Sequence, residues 1–294
     1  MKKISYIIAA AMFLAAGCQR NDLLEESASG ISDNYKVLTV GAAEDAQTRV
    51  GFDEDNAFYW HKGDRISVMT TAGLQAMTLY DEYHRMHSGR FYGDFQEDFV
   101  DYVIYPYGNH MIVEEILTFV LPASYTYTSI DEDANSCYAP MLGRIIENSA
   151  ELKHLASFFK ISVTNIPAGG EDMKFIFKAD KRITGEFIAE LSLPAPVIFT
   201  DSADGNTVTI NFSNSTAGAT GTFYIPVPLG TYESVTAEVM DGDLLIASKT
   251  WRDQVVERRT PKRGTMEVTF IAKINDTLYG SVQEAIDAAA DHTV

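Results

Sequence analysis

From Tyr35 onward, apolar residues recur at every second position. Lys36-Val37-Leu38-Thr39-Val40, Arg65-Ile66-Ser67-Val68-Met69, Gln75-Ala76-Met77-Thr78-Leu79 and Asp101-Tyr102-Val103-Ile104-Tyr105 all carry β-branched, aliphatic or aromatic side chains in alternation. Successive side chains of an extended chain point to opposite faces, so this period predicts half-buried strands. The habit returns in Phe159–Thr164, Lys174–Phe177, Thr207–Phe212, Thr222–Ile225, Ser234–Val239 and Met266–Phe270. Gly169-Gly170, Asp204-Gly205-Asn206 and Asp241-Gly242-Asp243 stand between them, with residue types that turn a chain cheaply. Short strands without intervening helices predict an all-β protein built from antiparallel sandwiches rather than an α/β sheet.

The chain's 294 residues are more than one sandwich needs. The strand pattern pauses at Glu147-Asn148-Ser149-Ala150-Glu151, which predicts a cut into an N-terminal sandwich, residues 35–150, and a C-terminal one, residues 151–273. A short helix is expected after them. Ser281 stands three residues before Glu284, as in a capping box, and Val282, Ala285, Ile286 and Ala289 share one helical face. A helix this short needs a surface to pack on. Lys273–Ser281 before it resembles the opening of a parallel β-helix or similar repeat module, so residues 274–294 are expected to form a helical tail that begins a truncated module.

The start of the chain breaks the pattern. Met1, Lys2 and Lys3 precede a largely apolar run from Ile4 to Ala16, which reads as a secretory leader over residues 1–17. The run falls short of the ~20 apolar residues of a spanning helix. Its end, Leu14-Ala15-Ala16-Gly17-Cys18, resembles a bacterial lipobox. That resemblance implies that Cys18 accepts diacylglycerol and becomes the first mature residue; the alternative is a Cys closing an ordinary leader by chance. Residues 18–34 are polar, without apolar period, and are expected to be a flexible tether. The acids after Cys18 resemble the signal that carries Bacteroidetes lipoproteins to the outer face of the outer membrane, which implies a lipid-anchored protein exposed at the cell surface.

Charge narrows the partners. The chain carries 23 basic and 41 acidic residues, a formal charge of -18, which repels nucleic acid and anionic lipid surfaces. Solubility accounts for that acidity. With Cys18 committed to lipid, the second of two cysteines, Cys137, has no thiol to pair with, and no Cys-His signature surrounds it. A small buried apolar residue is the expectation there.

No residue pattern calls for catalysis, a metal or a cofactor. Asp131-Glu132-Asp133-Ala134-Asn135 begins like a calcium loop, but Ser136 and Leu142 replace the required Gly and Glu. His84 and His87 would point to opposite faces of a strand, which does not make a zinc site. Phosphate loops, nucleophile elbows and metalloprotease motifs are missing from the sequence. Tyr102, Tyr105, Tyr107, Tyr125 and Tyr127 could line a sugar-stacking platform for host or bacterial glycans, although tyrosines at period two more often pack a sheet.

Several segments together resemble the fimbrillin-like (Mfa-like) family of Bacteroides surface lipoproteins. They are Thr48-Arg49-Val50-Gly51-Phe52, Trp60-His61-Lys62-Gly63-Asp64-Arg65-Ile66-Ser67-Val68, Lys153–Ile161, Ile183–Phe187 and Tyr224–Tyr232. Read from the residues alone, Trp60 is a core side chain at a turn, Gly63-Asp64 is turn chemistry, and Pro226 and Pro228 mark a sheet edge. The resemblance implies two transthyretin-like sandwiches in tandem and a non-enzymatic role in adhesion or in pili. It also implies that a trypsin-like protease cuts after an Arg, here Arg49, and removes the first strand, so that another pilus subunit can add its own. A donor strand is not evident in the Ala-rich end, which favours an anchor or accessory subunit. A carbohydrate-binding lipoprotein of a glycan-uptake system is the alternative, and a β-helix enzyme with its catalytic module beyond Val294 is a third reading.

Overall fold

The structure is a computed structural model. It describes residues 35–42, 51–52, 58–108, 110–127, 140–191, 198–199, 205–258, 261–269, 272–274, 277–279 and 282–290. Cys18, Arg49, Cys137, the 18–34 tether and Asp131–Asn135 lie outside the described residues.

The first strands are β1 (Tyr35–Ala42), β2 (Gly51–Phe52), β3 (Phe58–Tyr59), β4 (Arg65–Thr70), β5 (Gly73–Leu79), β6 (Ser88–Asp94) and β7 (Phe99–Tyr105). Then come β8 (Met111–Val113), β9 (Ile116–Leu121), β10 (Ser124–Thr126), β11 (Met141–Ile146) and β12 (Ser149–His154). The later strands are β13 (Ser157–Ile166), β14 (Gly169–Ala179), β15 (Gly185–Glu190), β16 (Ile198–Phe199), β17 (Thr207–Asn214), β18 (Ala219–Val227), β19 (Gly230–Asp241), β20 (Leu244–Val256) and β21 (Lys262–Glu267). A hairpin, β22 (Ala272–Ile274) and β23 (Thr277–Tyr279), precedes α1 (Val282–Ala290), the only α-helix among the described residues. The protein is all-β, as the period of two predicts, and α1 falls where the capping box places it.

Three packed layers of contact hold the chain. Strands β1, β12, β11, β7, β4, β5 and β6 close into a barrel. Its inward positions, Leu38, Val40, Ile66, Val68, Met77, Phe91, Val103 and Leu152, surround Trp60, and all of them are fully buried. A sandwich follows, in which the sheet β10-β17-β14-β19-β20 packs on the sheet β18-β13-β21. Phe175 and Phe223 stack between these sheets at 4.3 Å. The third layer is the sheet β16-β15-β9-β8, whose Leu117, Phe119, Phe187 and Ala189 meet Ile104 and Leu142 on the outside of the barrel. β13 and β18 serve two cores by simple alternation: Phe159, Ile161, Phe223 and Ile225 face the sandwich, whereas Phe158 and Tyr224 join the barrel core.

Two features depart from tandem antiparallel sandwiches. The expected cut between residues 150 and 151 falls inside β12, which pairs with both β1 and β11 and buries Leu152 in the first core. Glu147-Asn148, read as a break, is the turn of the β11–β12 hairpin, and Glu147 takes a φ of 57° there. In addition β9 pairs with β15 and β10 with β17, so strands from the first half complete sheets of the second. Most ladders are antiparallel, while β1–β12, β10–β17 and β13–β21 are parallel.

Candidate functional site

The feature with the clearest capacity for exchange is the slot that holds β1. Strand β1 runs antiparallel to β6, with Tyr35 opposite Asp94 and Gly41 opposite Ser88, and parallel to β12, with Thr39 opposite Ser149 and Ala42 opposite Leu152. Leu38 and Val40 point inward and are fully buried. The outer side is latched at the strand's start. Tyr35 stacks on Tyr92 at 5.9 Å, its hydroxyl hydrogen-bonds the Tyr80 hydroxyl, and Lys36 reaches Asp98 at 3.0 Å. Burial is the first cause that holds the Tyr80 phenol above its usual range, and the Tyr35 hydrogen bond adds to it. Removal of β1 would uncover two rows of backbone groups and an apolar groove beside Trp60, Phe91 and Leu152.

Trp60 and the turn after it brace this slot. Trp60 packs edge-on against Phe91 at 4.8 Å and Tyr105 at 5.4 Å. Gly89 opposite lacks room for a Cβ, which would stand 2.9 Å from Trp60 Cδ1. Gly63, at a φ of 85°, turns the chain so that the Asp64 N–H donates to the His61 carbonyl at 3.0 Å. The Asp64 carboxylate accepts the His61 N–H at 2.8 Å and the Tyr105 hydroxyl at 3.2 Å. Burial raises its pKa, and the His61 backbone hydrogen bond opposes that rise. With both carboxylate oxygens occupied by these donors, Asp64 ties the turn to β7, as turn chemistry predicts. His84 belongs to the same corner: its Nδ1 accepts the Lys62 N–H at 3.2 Å, and its ring lies 5.9 Å from that of His61. Among the described residues no group of three or more His, Cys, Asp or Glu side chains is arranged to hold a metal ion.

The five tyrosines are not brought together. Tyr105 is buried in the barrel core, and Tyr127 is buried in the sandwich, where it stacks on Phe223 at 6.0 Å. Tyr125 packs against the sandwich core from β10. Tyr102 lies against the third layer with the Arg144 guanidinium 6.0 Å from its ring, and burial raises its pKa. Tyr107 is exposed, with Arg65 lying 4.2 Å over it. A shared stacking platform needs neighbouring exposed rings, and of these five Tyr105 and Tyr127 are buried and only Tyr107 is exposed.

His154 is another residue of the resemblance with a structural setting. It is 2% exposed, its ring meets Phe158 edge-on at 5.5 Å, and burial, aided by Arg258, lowers its pKa to about 3. Sequence reasoning missed β12 as a wall of the slot, since Ala150 and Leu152 alternate with Glu151 and Lys153 beside a suspected linker. It also missed the Tyr35–Tyr80–Tyr92 latch, which no local spacing announces.

No family model and no curated protein matches the sequence. Some solved structures are similar to the chain. The chain is similar to a suspected cell adhesion protein from Bacteroides ovatus, at 13% identity and a TM-score of 0.47, over 79% of this chain and 92% of that one. It is similar to a second suspected cell adhesion protein, from Bacteroides thetaiotaomicron, at 13% identity and a TM-score of 0.39, over 83% and 99% of the two chains. The fimbrial anchor protein Mfa2 from Porphyromonas gingivalis matches at 10% identity and a TM-score of 0.33, over 83% and 94%.

Proposed function

We propose that this chain is a non-enzymatic, lipid-anchored surface protein of the fimbrillin-like kind, acting in adhesion or as the anchor or accessory subunit of a pilus. The observation that carries the reading is the position of β1. It follows directly on the 18–34 tether, and it is a fully integrated strand rather than an edge, bonded on one side to β6 and on the other to β12. A pull on lipid attached at Cys18 is therefore delivered to a strand held by two ladders and by the buried Leu38 and Val40. Each of those side chains, removed from water, stabilises by about 1.5–3 kcal/mol.

Arg49 lies just after β1 in sequence, so one cut there would sever both the lipid and the first strand from the rest. In an anchor both are retained; in a polymerising subunit the cut frees the slot for a strand from a neighbour by β-augmentation. The anchor reading rests on β1 being bonded on both sides, to β6 and to β12. Outer-membrane lipid is then the partner at one end, and other subunits or surface ligands are the partners at the other.

Mass spectrometry of the protein taken from cell surfaces tests this. The expected N-terminus is an acylated Cys18 with β1 still attached. A free amine at another residue upstream of β1 rejects the lipid anchor. A surface population beginning at Val50 rejects the anchor role in favour of strand exchange.

A further inference from the structure

The sheet β16-β15-β9-β8 is apolar on its inner face, and along β8 and β9 it carries apolar side chains on its outer face as well. Leu117, Phe119, Leu121, Phe187 and Ala189 fill the inner face. The register places Met111, Val113, Ile116, Thr118, Val120, Glu186, Ile188 and Glu190 on the outer one. There Met111 is 57% exposed, Val113 54%, Ile116 42% and Val120 45%. A sheet with one wet face ordinarily turns polar residues toward the water. Here Thr118 is the single polar residue among the outward positions of β8 and β9. Strand β8 is also an edge: among the described residues it pairs with β9 alone.

The charges on and beside this face have one sign. Glu114 and Glu115 form the β8–β9 turn, at φ of 49° and 64°. Glu186 stands opposite Val120, and Glu190 opposite Ile116. Residues 111–121 and 185–190 contain these four glutamates and neither Lys nor Arg. Exposed apolar side chains grouped beside charges of one sign mark an interaction surface, and that sign selects who can sit on it.

We propose that this outer face is a docking surface for a partner polypeptide segment in which apolar and basic residues alternate. Its apolar residues would cover Met111, Val113, Ile116 and Val120, and its cations would meet Glu114, Glu115, Glu186 and Glu190. The free edge of β8 offers backbone groups to an extended chain lying alongside. A second copy of this chain is the wrong occupant, because face-to-face pairing would press two acidic rims together in molecules that each carry a formal charge of -18.

The test titrates the full chain with a synthetic peptide alternating Lys and Val, using a Glu-Val peptide of equal length as control, followed by fluorescence anisotropy at physiological ionic strength. The Lys-Val peptide is expected to bind and the Glu-Val peptide not. Ile116→Ser with Val120→Ser is expected to weaken binding about tenfold, and Glu114→Gln with Glu115→Gln to weaken it and flatten its salt dependence. The remote exposed pair Leu245→Ser with Val255→Ser serves as the control and leaves binding unchanged. Thermal melts by circular dichroism establish that each variant is folded. Equal effects from the face pair and the remote pair overturn the proposal, since they reduce binding to general attraction by an acidic protein. Concentration-dependent dimerisation abolished by the face pair also overturns it, because the face would then belong to a second copy.

Discussion

His154 shows how a residue conspicuous in the sequence acquires its meaning from burial. A lone histidine ahead of Leu155-Ala156-Ser157-Phe158-Phe159 invites a functional reading, yet its ring is enclosed against Phe158 and held neutral. Its folded pKa of about 3 lies below the ordinary value of 6.5. The unfolded chain therefore takes up a proton that the folded one refuses, and stability rises with pH across that window. The contribution is complete above pH 6.5 and is lost as pH falls toward 3, by at most ~1.4 kcal/mol per pH unit. Urea denaturation of wild type and His154→Gln at pH 7 and pH 5 should show a smaller loss in the variant. Equal losses would mean that His154 is not the sensitive group. Asp64 illustrates the opposite case: its place in a Gly-Asp turn was legible from sequence, whereas its bond to Tyr105, on the neighbouring strand β7, was not.

At the scale of elements, period two located many of the strands with one buried and one wet face, but not β6, β9 or β15, whose burial alternates as regularly. β1, β4, β5, β7, β13, β14, β17, β18 and β19 all contain the segments that alternation picks out. It overlooked β20, because Ser248-Lys249-Thr250 and Arg252-Asp253-Gln254 give an edge strand little to bury; its charges discourage pairing with other chains. It read the start of β12 as a pause in the strand pattern for a related reason. That strand is short, and only tertiary pairing with β1 and β11 makes it a strand. Gly143, on the neighbouring β11, tests how closely this part is built. A Cβ there would lie 2.6 Å from the Glu151 carbonyl oxygen, which is backbone and cannot swing away. Gly143→Ala is expected to cost about 1–3 kcal/mol in urea denaturation. A neutral result would show that the β11–β12 ladder can shift.

For the whole molecule, the decisive fact is that the halves share strands. β9 and β10, from the first half, complete sheets with β15 and β17 from the second, and Phe158 and Tyr224 complete the barrel core in return. Divided at residue 150, the chain would leave Leu117, Phe119 and Leu121 without their partners and would cut β12 in two. The intact protein is expected to unfold in one cooperative transition. A fragment ending at residue 150 is expected to bind a hydrophobic dye and to melt without cooperativity. Two separated transitions in calorimetry, or a cooperative melt of that fragment, would show independent domains instead.

The sequence by itself determined the class of structure, because alternation, turn residues and a capping box are local signals that each carry their own physics. It also marked part of the cores, since a half-buried strand writes its inward face into every second position, as at Leu38 and Val40 of β1. Tertiary structure alone decided which strands are neighbours, that β1 fills a slot between β6 and β12, and that β8 and β9 turn apolar side chains outward. Those outcomes depend on pairing between segments far apart in the chain, and backbone hydrogen bonds, being the same for every residue, leave no mark of their partner in the sequence.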